Sequence, residues 1–315
     1  MKTLDLVIPC YNEADNIVPF YEEASRAAAA MADCRVSYIF VNDGSSDGTQ
    51  AQIRALAALH PEVHYISFSR NFGKEAAMYA GLLHSSGDLV AVMDADLQHP
   101  PALLPAMAAG IEEGYDCCAA RRLDREGEGW LRRSLSSLYY RISNSLTDIR
   151  LEQNAVDFRM MTRQMVNAVL KLSESERFSK GIFAWVGFET KWIPYENIER
   201  QAGKSKWSLR SLARYALDGI TSFSVKPLRA VRNMGILLCA GSLIYILAVL
   251  IKVLIRGVDV PGYTSTLCVL LFLGGVLELS MGIVGEYVAQ IYIEAKDRPL
   301  FLIKETDIPR EDDPS

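Results

Sequence analysis

The sequence predicts an α/β domain, a mostly parallel sheet with helices on both faces, that continues into two membrane-spanning helices. Three observations carry that expectation. Strand-like and helix-like segments alternate through the first half of the 315 residues. The strand-like runs stop at polar, charged clusters. Two long apolar runs, residues 234–255 and 264–289, occupy the last third.

The strand-like runs are LDLVIP (4–9), SYIFVND (37–43), VHYISFS (63–69) and DLVAVMD (88–94). Each is short, rich in β-branched and aromatic residues, and bounded by turn formers. Helical patterns fall between and after them, at 15–31, 48–59, 74–85 and 101–113. Repeated strand–helix units imply a parallel sheet covered on both faces. Ligands of such sheets bind outside the carboxyl ends of the strands. The informative residues are therefore PCYNE (9–13), VNDGSSDGT (41–49), SRNFGKE (69–75) and DADLQHP (94–100). Four strand ends converging on acids, Gly, Arg and Lys read as one site.

Composition narrows the classes. Lys and Arg total 33 against 38 Asp and Glu, a net charge of −5, without the basic field of a nucleic-acid binder. The cysteines, at 10, 34, 117, 118, 239 and 268, show no CxxC spacing, and there are four histidines, so neither a disulfide framework nor a zinc site is expected. The opening MKTLDLVIPC is too short in apolar length and too acidic for a signal peptide, and reads as a strand.

Each apolar run is long enough to cross a hydrocarbon core of about 30 Å as a helix. Core helices of soluble proteins rarely stay apolar on all sides for that length. Lys226, Arg229 and Arg232 precede the first run, and Lys296, Arg298 and Lys304 follow the second. Arg256 and Asp259 sit in the short loop between them. The positive-inside rule places both ends in the cytoplasm. Ahead of the runs, Leu209, Leu212, Ala213, Ala216, Ile220 and Phe223 recur at helical spacing, with Arg210, Arg214 and Asp218 on other faces. That pattern predicts an amphipathic helix on the membrane surface. Glu278 inside the second run is costly unless paired or buried, and with Gly274 and Gly275 it points to helix–helix contacts. The expected organisation is a cytoplasmic domain over 1–207, a juxtamembrane helix over 208–232, two spans within 233–290 and a cytoplasmic tail over 291–315. In that tail LFLI (300–303) reads as a short strand and the rest as solvated and disordered.

Eight stretches occur in order: VIPCYNE (7–13), VNDGSSDGT (41–49), SRNFGKEAA (69–77), DADLQHP (94–100), DFRMM (157–161), RFSKGIFAWVGF (177–188), RQAGKSKW (200–207) and GEYVAQIYIEAKDRP (285–299). Together they resemble the family 2 glycosyltransferases with the GT-A fold, in the group that acts on polyprenyl phosphates. That group includes dolichol-phosphate mannose synthases and bacterial undecaprenyl-phosphate glucosyl- and aminoarabinosyl-transferases. The resemblance covers nearly the whole chain. It implies a GT-A, Rossmann-like, mostly parallel sheet followed by an interfacial helix and two transmembrane helices. It further implies a UDP-sugar donor, a polyprenyl phosphate acceptor, a homotetramer and a place in the bacterial inner membrane.

Asp94 and Asp96 lie one residue apart at the end of an apolar run, where like charges repel unless something positive sits between or beside them. Hard oxygen ligands of this kind suit Mg²⁺ or Mn²⁺ bridging to a nucleotide diphosphate. The resemblance adds Gln98 as a further ligand. Pro9, Tyr11 and Glu13 supply an aromatic face and an acceptor for a nucleotide base. Asp43 suits the base or ribose if Ser46 or Asp47 takes over capping of the following helix. Arg70 and Lys74 suit the diphosphate. By resemblance and spacing, Arg122, Arg133 and Ser137 bind the lipid phosphate, and Arg200, Ser205 and Lys206 close over the site. Asp157 matches the position usually named as catalytic base, although Val156 stands where a Gly is common. A phosphate monoester has a second pKa near 6, so the acceptor needs little help from a base and Asp157 is as well suited to orienting it. Asp157, Asp96 and Arg200 are the expected catalytic residues, in a single in-line, inverting displacement with glucose as the expected sugar.

Two other classes share part of this pattern. A processive polysaccharide synthase needs more membrane spans and a QxxRW signature, whereas Gln201 is followed by AGKSKW. A non-catalytic scaffold that binds nucleotide-sugars would be favoured by loss of Asp94, Asp96 or the Arg200 loop, and all are present.

Overall fold

A computed structural model of the chain describes residues 1–123, 152–175, 177–196, 224, 226–256 and 262–309. The elements run β1 (Lys2–Cys10), α1 (Ile17–Ala29), β2 (Cys34–Asn42), α2 (Thr49–Leu59), β3 (Val63–Phe68), α3 (Lys74–Leu83), β4 (Leu89–Val92), α4 (Leu104–Glu112), β5 (Cys117–Arg122), β6 (Ala155–Thr162), α5 (Arg163–Leu170), α6 (Ser179–Trp185), β7 (Thr190–Tyr195), α7 (Lys226–Arg256), α8 (Tyr263–Ala295) and β8 (Ile303–Thr306).

All eight strands form one sheet in the order β7-β5-β6-β4-β1-β2-β3-β8. The period-two alternation of β1 sends Leu4, Leu6 and Ile8 to one face, under α1, α2 and α4. It sends Val7 to the other face, where Met78 of α3, Val166 of α5 and Ile182 of α6 pack. Both faces are therefore buried, which explains why the strands read as nearly continuous apolar runs.

The sheet is mixed: four of its seven strand pairings are parallel, β5 on β7 among them, and three are antiparallel. The four predicted strands do pair in parallel, β3 on β2, β2 on β1 and β1 on β4. But β6 runs antiparallel to both β4 and β5, and β8 antiparallel to β3. An antiparallel β6 brings its own beginning beside the carboxyl end of β4, at the rim where the polar strand ends gather.

That rim opens between β1 and β4, where the strand order reverses. Met93 donates its backbone N–H to Val7 O at 3.0 Å, so Val7 faces β4 and Pro9, two residues on, points the same way. The β4 ladder has ended by then, at the Val7–Val92 pair. The proline in a central strand therefore removes no ladder bond, and the missing donor marks the mouth of the crevice.

Both apolar runs form long helices, α7 and α8. Among the described residues, one segment, Phe272–Ala295, has the length and mean hydropathy (1.4) to cross a membrane, and none of its most apolar window is buried. Nothing among the described residues comes within 4 Å of a Cβ built at Gly274 or Gly275. Of the expected juxtamembrane helix, 208–232, the described residues are Ser224 and 226–232, and the latter form the beginning of α7. The hairpin is tied to the domain at its base. Ser175 donates its N–H to Glu294 Oε1 at 2.7 Å, and Tyr287 donates its hydroxyl to Ser224 O at 2.6 Å.

The tail departs from expectation. The strand is Ile303–Thr306 rather than 300–303, and the chain beyond it is docked through Pro309. Tyr65 donates its hydroxyl to Glu305 at 2.7 Å and its backbone N–H to Asp307 at 2.6 Å, and Arg54 pairs with Glu305. Those carboxylates are what made the segment look solvated. Their partners stand on β3 and α2, some 240 residues earlier.

Gly44 has φ +65°, and a Cβ there would lie 2.3 Å from the Arg70 carbonyl carbon. Gly73 has φ +101° with open space around it. Gly44→Ala is expected to cost about 2–5 kcal/mol from backbone strain plus collision, and Gly73→Ala about 1–3 kcal/mol from strain alone. Melting temperatures of the purified variants in detergent test that order.

Candidate active site

The β1 and β2 ends are laced together by short polar side chains. Asn12, at φ +55°, donates its N–H to Ser45 Oγ at 3.0 Å and accepts from Ser46 N at 2.9 Å. Glu13 donates its N–H to Thr49 Oγ1 at 2.9 Å. Asp47 accepts from Thr49 N at 3.0 Å and Ala14 N at 3.3 Å, the local role expected of it at the start of α2. Pro9 is buried, and Tyr11 stays 42% exposed above the strand end.

Asp43 has a structural role at the end of β2. It is buried, and its two oxygens accept the backbone N–H groups of Phe72 at 2.6 Å and Gly73 at 2.9 Å. Burial pushes its carboxyl up, against the pull of those two amides and of Arg70. Asp43 thereby fixes the loop that leads into α3. Gly73 supplies a left-handed turn that few other residues adopt, and Lys74 follows as the first residue of the helix. Arg70 lies over the Phe72 ring, its guanidinium carbon 4.0 Å from the centroid.

Lys74 reaches across the crevice. Its Nζ lies 2.7 Å from Asp94 Oδ1 and 2.7 Å from Asp157 Oδ2. The register explains the meeting. Val92 of β4 stands opposite Arg159 of β6, so two residues further along β4 and two residues back along β6 bring Asp94 and Asp157 face to face. Burial opposes the charged lysine, yet Asp94 and Asp157 outweigh it and hold its pKa well above that of a free lysine. Burial likewise opposes the Asp157 carboxylate, and Lys74, Lys180 and Arg159 override it and keep the carboxyl well below the usual range. Asp157 is thus ionised and a weak base.

Asp96 accepts from Gln98 N at 3.2 Å in a tight turn that holds Leu97 at φ +56°. Such a conformation costs a non-glycine residue on the order of 1–3 kcal/mol and persists where the surroundings impose it. Among the described residues no group of three or more His, Cys, Asp or Glu side chains forms a ready cage for a metal. Two carboxylates and an amide on one turn are nonetheless the donor set by which Mg²⁺ or Mn²⁺ is held when substrate phosphates and waters complete the shell. The same turn already attracts a cation, the Lys74 ammonium, so the residues fit the expected group.

Two residues of this rim were not singled out from the sequence. His99 is buried, and burial pushes its pKa down against the Asp94 and Asp96 charges, leaving a neutral ring. Tyr195, its phenol pushed up to about 12 by burial, lies with its hydroxyl 2.6 Å from His99 Nδ1. The tyrosine therefore donates to Nδ1, and the N–H at Nε2 faces Asp94 Oδ2 at 3.8 Å. The pair stands beside Asp94. A histidine directly after the metal-type turn was the available signal; its partner, 96 residues away, had none. Glu75, also unflagged, accepts the hydroxyl and N–H of Ser179 and ties α3 to α6.

Arg122 ends β5 in register with Tyr195. Arg133, Ser137, Arg200, Ser205 and Lys206 lie outside the described residues.

Residues 5–170, which contain Tyr11, Asp43, Lys74, Asp94 and Asp157 of this crevice, match the family described as Glycosyl transferase family 2. The chain belongs to glycosyl transferase family 2. Residues 226–291, covering α7 and nearly all of α8, match the GtrB C-terminal hairpin. The chain is 49% identical to the putative glycosyltransferase CsbB of Bacillus subtilis, covering 99% of this chain and 94% of that one. It is 41% identical to the bactoprenol glucosyl transferase of Shigella phage SfII, covering 96% and 98%, and 39% identical to the prophage bactoprenol glucosyl transferase homolog of Escherichia coli, with the same coverages. As a family 2 glycosyltransferase, it is an enzyme whose catalytic domain and C-terminal hairpin are both shared with these relatives.

In this glycosyltransferase the Glu75 carboxyl is pushed up to about 6, chiefly by burial and further by Asp157, against the Ser179 hydrogen bonds. A folded pKa above the unfolded value means that stability is greatest below about pH 4.5 and is lost as the pH rises through about 6, by about 2 kcal/mol. Glu75→Gln removes that loss. Melting curves between pH 4.5 and 7 are expected to show the variant gaining on the wild type up to about pH 6 and holding a constant difference above it.

Proposed function

We propose that this glycosyltransferase moves glucose from UDP-glucose to a polyprenyl phosphate, with inversion at the anomeric carbon and with Mg²⁺ or Mn²⁺. The observation that carries the reading is the placement of a cation-binding crevice on a domain whose C-terminal hairpin is bonded to it at Ser175–Glu294. A polyprenyl chain does not leave the bilayer, so an enzyme for it needs its site held at the membrane surface. The names of the bactoprenol glucosyl transferases, similar to this chain over 96% of its length, support both acceptor and sugar.

Asp94, Asp96 and Gln98 would hold the cation, which would supply positive charge for the leaving diphosphate. Lys74 and Arg70 add positive charge at the same place, and Tyr11 and Glu13 border the base. Arg122, at the end of β5, is assigned to the lipid phosphate, as are Arg133, Ser137, Arg200, Ser205 and Lys206, which lie outside the described residues. His99 and Tyr195 keep Asp94 aimed at the crevice. The acceptor oxygen attacks the anomeric carbon in line. Its phosphate, with a second pKa near 6, is already ionised at neutral pH. Asp157 accordingly orients Lys74 and the acceptor instead of removing a proton. Both α7 and α8 cross the bilayer of a bacterial plasma membrane, with the domain and both termini in the cytoplasm, and the chain assembles as a homotetramer.

Purified protein given undecaprenyl phosphate, Mn²⁺ and a panel of labelled nucleotide-sugars is expected to yield one lipid-extractable product, from UDP-glucose. EDTA abolishes it, and Asp96→Ala lowers it by on the order of 10²–10³-fold. No lipid product from any donor, with nucleotide binding intact, sinks the acceptor assignment.

The pH profile separates the roles of Asp157. Its carboxyl stays ionised far below neutrality, so the acid limb of kcat/KM reports the acceptor phosphate near pH 6. Asp157→Asn is expected to lower kcat about 100-fold while leaving that limb in place. A limb that vanishes in the variant would make Asp157 the base.

A further inference from the structure

Lys74 is the one described side chain that contacts both Asp94 and Asp157. We propose that Lys74 is the resting counter-ion of the metal site. In the nucleotide-free enzyme its ammonium takes the place of the divalent ion at Asp94, so the metal binds well only together with the nucleotide, whose diphosphate draws the lysine away. This rests on the metal-dependent reading above.

Four observations support the exchange. The ammonium sits 2.7 Å from Asp94 Oδ1 and 2.7 Å from Asp157 Oδ2, which leaves a metal at Asp94 in direct competition with it. Among the described residues no third His, Cys, Asp or Glu completes a cage, so a metal arriving alone finds few protein ligands, and phosphate oxygens must supply the rest. The backbone under Lys74 is held by Asp43 through the Phe72 and Gly73 amides, while the lysine side chain is 41% exposed. Its four-carbon stem therefore swings without unpacking the helix. The two carboxylates are also unequal. Lys180 and Arg159 act on Asp157 as well as Lys74 does, so Asp157 keeps positive neighbours when the lysine turns. Asp94 keeps only the His99 N–H at 3.8 Å among its described close partners, and is the one left ready for the metal.

The order of arrival follows. Nucleotide and metal bind as a unit, and each strengthens the other by removing the same ion pair. After transfer, departure of the nucleoside diphosphate returns Lys74 to Asp94 and expels the metal with the product.

The test is Mn²⁺ binding by the full-length protein in detergent, read from the EPR signal of free Mn²⁺, with and without UDP. The wild type is expected to bind Mn²⁺ at least about tenfold more tightly with UDP than without it. Lys74→Gln without UDP is expected to bind Mn²⁺ about tenfold more tightly than wild type without UDP, and Mn²⁺ alone is expected to raise its melting temperature more than that of the wild type. Lys74→Arg, which keeps the charge, is expected to bind no more tightly than wild type. If wild type binds Mn²⁺ equally well with and without UDP, the exchange is wrong whichever variant folds. If UDP promotes binding in wild type but Lys74→Gln gains nothing, the lysine is no counter-ion and the metal reading stands. If Mn²⁺ does not bind even with UDP, the metal reading falls and the exchange with it.

Discussion

Two carboxylates face each other across the β4–β6 pairing, and the ammonium of Lys74 between them makes that arrangement tenable. Without a cation, Asp94 and Asp157 would repel in a partly buried cleft, where charges are poorly screened. Much of the rim serves to deliver that cation. Asp43 fixes the loop, Gly73 turns it, and α3 begins at Lys74. On the other side the Tyr195–His99 pair stands beside Asp94, and the antiparallel course of β6 brings Asp157 opposite.

Backbone strain gathers in the same region. Asn12, Leu97 and Asn154 all have positive φ, and they stand at the end of β1, in the turn after β4 and just before β6. Each is where the chain must change direction to offer a side chain or an amide to the crevice. A sheet whose two faces are packed with Phe20, Phe40, Met78 and Phe158 provides the rigid frame that maintains such conformations.

The helical hairpin is not a detached anchor. It leaves the domain at Ser224–Lys226, returns at Glu294, and then contributes β8 to the sheet edge beside β3. The polypeptide thus closes on the catalytic domain after its apolar excursion. The Glu305 and Asp307 bonds to Tyr65 make the last described residues part of the fold. For an enzyme of this family, that closure fixes the distance between the crevice and the apolar helices.

The sequence by itself determined the local elements and the strand ends. Alternating apolar runs placed β1 to β4 and α1 to α4 within a few residues, because burial of a sheet on both faces imposes runs that any single segment displays. The acids, glycines and basic residues at those ends were equally legible, and so were the two apolar helices. The partners of those residues were decided by tertiary structure alone. That β6 and β8 run antiparallel depends on how the chain crosses between strands, which no periodicity records. Nothing near Asp43 in the sequence announces the amides it accepts, at Phe72 and Gly73, which lie about thirty residues on. His99 gained a role only from Tyr195, and the tail gained its order only from β3. A charged group reads as solvated in sequence whenever the group that satisfies it is distant in the chain, and this fold brings such groups together at both its active rim and its closing strand.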